Sequence, residues 1–132
     1  MDKVLVDTSV WIEFFRKREL YFRIVTELID ADAVCCTGLV YAELLQGAKA
    51  EKELNTIKEF LHVFEFLPES VEVWEKAGEL SFRLQRKGKS VGLSDCLIAV
   101  AAEGSQAHLL TMDRHFSAIR KEIGIKLFNL PE

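Results

Sequence analysis

Short apolar runs without polar alternation, each followed by a segment of helical spacing, recur along the chain and limit its fold more than any other feature. Val4-Leu5-Val6, Ala33 to Cys36 and the run HLLT at 108–111 are of this kind. A strand that is apolar on both faces has to be buried on both faces. Between the runs lie segments with apolar residues at helical spacing: VWIEFF, ELYFRIVTELID, LVYAELLQG, EKELNTIKEFLHV, VEVWEKAGELSFRLQRKG, DCLIAVAAE and DRHFSAIRKEIG. Thr8 or Ser9, Thr37 and Ser94 are placed to cap three of them, and Gly47 and Gly88 to stop two. FEFLP reads as a short edge strand before Pro68, and IKLFNL as a last strand before Pro131. Strands alternating with helices predict an α/β fold whose parallel sheet is covered on both faces. Right-handed crossovers then bring every strand's carboxyl end to one edge.

The 132 residues contain no repeat, low-complexity tract or Pro/Gly linker, so one domain, 1–132, is expected. No run of about eighteen apolar residues occurs, nor a basic N-terminal segment followed by a long apolar one, which predicts a cytoplasmic protein without a membrane span. Cys35, Cys36 and Cys96 form an odd set without C-x-x-C spacing and read as core thiols. The net charge of −4 argues against a bulk electrostatic grip on nucleic acid. Two routes to a polyanion stay open: local basic residues such as Arg83, Arg86, Lys87 and Lys89, or a metal ion held by carboxylates.

The carboxylates decide between them. Asp7 ends the first apolar run, at the sheet edge where α/β proteins bind ligands, although it would also serve to cap the helix that follows. Asp113 stands in the same relation to HLLT. Glu43 shares a helical face with Leu39, Val40 and Leu44, a costly position unless something pairs it. Asp95 opens the helix whose Ile98, Ala99 and Ala102 turn towards the sheet; favourable placement at a helix N-terminus is worth only about 1 kcal/mol. Singly each acid has an ordinary structural explanation. Together they would converge, and two like charges about 4 Å apart repel by about 4 kcal/mol at an effective dielectric of 20. Protonation relieves that repulsion, and a divalent cation relieves it better. Hard oxygen ligands select Mg²⁺ or Mn²⁺, whereas His62, His108 and His115 lack the spacing of a zinc site. Such an ion at an open edge polarises a phosphoryl oxygen, activates water and steadies the leaving oxygen, which is phosphodiester hydrolysis.

The segments VLVDTSVWIEFF, TGLVYAELLQG, LSDCLIAVAA and LLTMDRHF, in this order between residues 4 and 116, resemble the PIN-domain ribonucleases, and among them the VapC-like toxins of prokaryotic toxin–antitoxin pairs. The resemblance implies a three-layer α/β/α sandwich with a parallel sheet of about five strands. It implies a Mg²⁺- or Mn²⁺-dependent endoribonuclease. Asp7, Glu43, Asp95 and Asp113 match the family's four acidic positions; Asp7, Asp95 and Asp113 would hold the metal and Glu43 would orient or deprotonate the attacking water. Thr8 and Thr111 match hydroxyl positions that support the acids. His115 stands where many relatives carry another acid and is not expected to be a ligand. The implied partners are RNA, a small VapB-like antitoxin and a second copy of the chain in a homodimer.

Two other readings remain at this stage. Asp7 at a strand end would suit a phosphotransfer domain, but DTS lacks the second aspartate of D-x-D phosphatases. A catalytically silent PIN-like scaffold is the other, and retention of all four acids argues against it. Trp11, Phe14 and Phe15 read as core residues in preference to the lining of an antitoxin groove.

Overall fold

In a computed structural model of the chain, residues 2–130 are described, and Pro131 lies outside them. The strands are β1 (Val4–Val6), β2 (Val34–Cys36), β3 (Glu65–Phe66), β4 (His108–Leu110) and β5 (Lys126–Leu127). All pair in parallel, in the order β3-β2-β1-β4-β5. The apolar runs are buried as expected: Val4, Leu5 and Val6 are at most 3% exposed, so the central strand is covered on both faces. β3 is the edge strand predicted from FEFLP, and both its residues are exposed.

Among the described residues the helices are α1 (Thr8–Phe15), α2 (Glu19–Asp30), α3 (Gly38–Gln46), α4 (Glu51–Leu61), α5 (Val71–Arg86), α6 (Leu93–Gly104) and α7 (His115–Arg120). α1 packs on α2 and α3, and α3 on α4; α6 packs on α5 and α7. α6 runs buried from Cys96 to Ala102, and its small side chains allow the close packing that its composition predicts. Thr37 caps α3 as expected, its hydroxyl accepting from the Val40 N–H at 3.2 Å. The Glu69 carboxylate approaches the start of α3 so closely that a Cβ on Gly38 would lie 3.0 Å from its Oε2, and an anion there is favoured by the helix dipole. Gly88, at φ +75°, ends α5 in the left-handed conformation that glycine alone adopts freely.

The structure corrects three local expectations. Asp7, not Thr8 or Ser9, occupies the N-cap position of α1, because both hydroxyls are engaged elsewhere. Gly92, not Ser94, precedes α6, its carbonyl accepting from the Cys96 N–H at 3.2 Å, and Ser94 falls inside the first turn. α7 begins at His115 and not at Asp113, since the Asp113 carboxylate accepts from the His115 N–H at 2.8 Å and holds that corner as a turn.

Trp11 and Phe14 of α1 belong to the core, while Phe15 is only partly buried. Trp11 is fully buried and Phe14 nearly so, with the Trp11 ring 5.4 Å from Phe14, 5.9 Å from Phe60 and 5.7 Å from Phe64.

Candidate metal centre

The sheet order reverses between β1 and β4, both of which start crossovers in opposite directions from the centre. That switch point leaves a crevice beyond the strands' carboxyl ends. The register there is fixed: Val6 pairs with Leu110, and the Asp7 N–H donates to the Leu110 carbonyl at 2.9 Å. Asp7 and Thr111 therefore leave the sheet side by side, and the Thr111 hydroxyl donates to Asp7 Oδ2 at 2.7 Å. Ser9 donates to the same oxygen at 3.0 Å and itself accepts from the Met112 N–H at 3.2 Å. Although it stands at the N-cap position, Asp7 makes no side-chain cap. Its carboxylate, in a residue only 5% exposed, is held by the Thr111 and Ser9 hydroxyls at the crevice and not by the backbone N–H groups of α1.

Asp113 follows two residues after Thr111, whose hydroxyl also accepts from the Asp113 N–H at 3.0 Å. Asp95, in the first turn of α6, comes to the same place from the other side. Among the described residues, Asp95, Asp113 and His115 are the set whose possible ligand atoms all lie within 4.8 Å of one another. His115 Nδ1 sits 3.3 Å from Asp95 Oδ2 and 3.3 Å from Asp113 Oδ1. His115 is not expected to be a ligand, yet its imidazole lies between the two carboxylates and within hydrogen-bonding reach of both. Asp7 lies outside that tight triangle, but its charge is felt within it. Partial burial chiefly holds the Asp95 carboxyl above its ordinary value near 3.8; the negative charge of Asp113 and, more weakly, of Asp7 push the same way, against a hydrogen bond from His115.

Glu43 is placed by a different contact. Its Oε1 accepts from the Thr8 hydroxyl at 2.8 Å, which supplies the partner that a glutamate on an apolar helix face requires and ties α3 to the residue after Asp7. Glu43 does not contribute an oxygen to the Asp95–Asp113–His115 set. It borders instead a groove of about 420 Å³ lined by Ile12, Phe15, Arg16, Leu44 and Lys49 among others. Phe15, unlike Trp11 and Phe14, reaches that groove.

The donor set fits a hard dication: carboxylate oxygens predominate, they crowd one another, and no lysine or arginine forms an ion pair with Asp7, Asp95 or Asp113 among the described residues. Sequence reasoning named Ser9 only as a helix cap and His115 only as a non-ligand, and so missed that both contact the acids. Ser9 carried a signal in standing two residues after a strand-end aspartate; His115 carried one in standing two residues after the other.

The family model described as "PIN domain" matches residues 4–122. Ribonuclease VapC32 of Mycobacterium tuberculosis is 30% identical over 125 residues, covering 94% of this chain and 95% of that protein. Ribonuclease VapC1 of Methanocaldococcus jannaschii is 28% identical over 128 residues, covering 96% and 88%. Among solved structures, DNA-bound VapBC from Salmonella typhimurium superposes with a TM-score of 0.79 at 25% identity, covering 97% of this chain and 98% of that one. With a five-stranded parallel sheet in the same architecture and acids meeting at its switch point, the chain belongs to the PIN-domain family.

Proposed function

We propose that this chain is a Mg²⁺- or Mn²⁺-dependent endoribonuclease and the toxin of a VapBC-type toxin–antitoxin pair, with residues 1–132 acting as one catalytic unit. The observation that carries the reading is the convergence of Asp95 and Asp113, with Asp7 beside them, on one crevice where no lysine or arginine among the described residues pairs with them. Relatives named as VapC ribonucleases and VapBC complexes support it.

In this reading Asp7, Asp95 and Asp113 hold the cation, directly or through water. When bound, the ion supplies charge neutralisation at the scissile phosphate and a water of lowered pKa. Thr111 and Ser9 fix Asp7 by its Oδ2, so that the carboxylate keeps one orientation. Thr8 does the same for Glu43, which orients or deprotonates the attacking water. In-line attack on phosphorus leaves a 5′-phosphate and a 3′-hydroxyl, and the RNA's 2′-hydroxyl takes no part in the chemistry. An extended antitoxin peptide fits the groove beside Glu43, where Ile12 is 40% exposed and Phe15 half-buried. No helix among the described residues is long and apolar enough to cross a membrane, and an RNA substrate is in keeping with a cytoplasmic site of action.

The test is cleavage of RNA by the purified chain with Mg²⁺ or Mn²⁺, with EDTA, and with Asp7→Asn. Cleavage that requires the ion and is lost in the variant is the expected result. Full activity in EDTA would exclude the mechanism; no cleavage together with no ion-dependent stabilisation would leave a binding scaffold.

A further inference from the structure

His115 is the member of the Asp95–Asp113–His115 triangle to which the proposed reaction gives no task. Its backbone N–H donates to Asp113 Oδ1 at 2.8 Å, which fixes the first residue of α7 against the site, and Phe116, fully buried, anchors that helix in the core. Although the side chain is 56% exposed, its Nδ1 stands between the acids, 3.3 Å from Asp95 Oδ2 and 3.3 Å from Asp113 Oδ1. Those two carboxylates are the polar partners that the imidazole has among the described residues.

Such spacings are close to those of neighbouring ligands on a single ion. With bonds of about 2.1 Å to an octahedral dication, two adjacent donor atoms stand about 3.0 Å apart. A nitrogen 3.3 Å from each of two carboxylate oxygens has to shift only slightly to share an ion with both. A hydrogen bond accounts for one of these contacts. Nδ1 carries at most one proton, so two acceptors at the same distance share it poorly, whereas a cation uses all three atoms as donors.

The kind of donor changes what the centre selects. Mg²⁺ is held by charge and by hard oxygen ligands, and imidazole nitrogen contributes little to it. An acid at position 115 would add a negative charge and an oxygen, which serve Mg²⁺ and Mn²⁺ alike. A neutral imidazole adds neither, and its nitrogen favours the transition metal.

We propose that His115, through Nδ1, joins Asp95 and Asp113 as a metal ligand and that this nitrogen makes the centre prefer Mn²⁺ to Mg²⁺. The assignment rests on the metal-dependent reading of the site and reverses the expectation, implied by the resemblance, that His115 stays out of the coordination.

The experiment is titration of the purified chain with Mn²⁺ in the absence of RNA, followed by electron paramagnetic resonance, with Mg²⁺ as competitor. The spin echo of the bound Mn²⁺ should carry the nitrogen modulation of a directly bonded imidazole, and His115→Ala and His115→Asp should both lose it. His115→Ala should weaken Mn²⁺ by roughly tenfold or more, at least the cost of losing a ligand's supporting partner, and Mg²⁺ much less. His115→Asp should bind both ions, with the preference for Mn²⁺ reduced. Melting curves in EDTA check that the variants are folded; the modulation is read on the unsubstituted chain and does not depend on them. Mn²⁺ bound without nitrogen modulation, or an ion preference that both variants leave unchanged, overturns the proposal and leaves the carboxylate centre standing. No binding of Mn²⁺ at all overturns it together with the metal-dependent reading.

Discussion

Replacing Asp95 with asparagine should make the metal-free protein more stable at neutral pH while destroying its activity. The oxygens of Asp95 and Asp113 lie within 4.8 Å of each other. At an effective dielectric of 20 that separation corresponds to about 3.5 kcal/mol of repulsion, an upper bound. Solvent screening reduces it, because the Asp95 side chain is 20% exposed and that of Asp113 33%; about 1 kcal/mol is a reasonable expectation. For a chain of this length that corresponds to a rise in melting temperature of about 3 °C. The direction with pH follows from the raised pKa of Asp95, which burial causes first and Asp113 second. The folded state prefers the protonated carboxyl, so the associated stability is present in acid. It is lost as pH rises from the ordinary value near 3.8 through the raised one. The gain from Asp95→Asn should accordingly be seen at neutral pH and vanish in acid. Calorimetry of both proteins with EDTA, and again with Mn²⁺, reads this directly: the ion should stabilise the unsubstituted chain and leave the variant nearly unmoved. A variant that melts lower than its parent at neutral pH, by the same amount as in acid, would show that the carboxylates are individually satisfied and that no cation is needed between them.

Thr37→Ala removes the side-chain cap of α3 and should cost about 1 kcal/mol, read as an earlier urea midpoint with an unchanged slope; an unaltered midpoint would mean that water replaces the hydroxyl. Burial pushes the thiols of Cys35 and Cys36 up to about 12, so iodoacetamide should leave both unmodified in the native protein and alkylate them after unfolding. Fast native labelling at either residue, located by mass spectrometry, would contradict the buried assignment.

How much of this was readable beforehand varies by element. Strands such as Val4-Leu5-Val6 and HLLT were legible because a doubly covered parallel strand has no polar face to confuse its pattern. Thr37 was legible as a cap because its hydroxyl had no competing partner in the fold. Thr8 and Ser9 were not, since the contacts that redirect them come from Glu43, 35 residues away from Thr8, and from the Asp7 carboxylate of the crevice. Ser94 was misplaced because the helix starts two residues earlier than its polar side chain suggests, with the Gly92 carbonyl accepting from the Cys96 N–H. Of the site, the four acids were visible as types at strand ends and on an inward helix face, but their distances were not. Nothing local in DRHF reveals that the imidazole will lie between Asp113 and an aspartate 20 residues upstream.

The bond from Thr111 to Asp7 joins residues 104 positions apart, and it exists only once β4 has slotted in beside β1. A growing polypeptide that has emerged only as far as α6 holds Asp7, Glu43 and Asp95 but has neither the hydroxyl that steadies the first nor the acid that faces the third. The crevice is thus assembled by strand pairing between distant parts of the chain, and anything that loosens β4 from β1 should disturb Asp7 and Asp113 together.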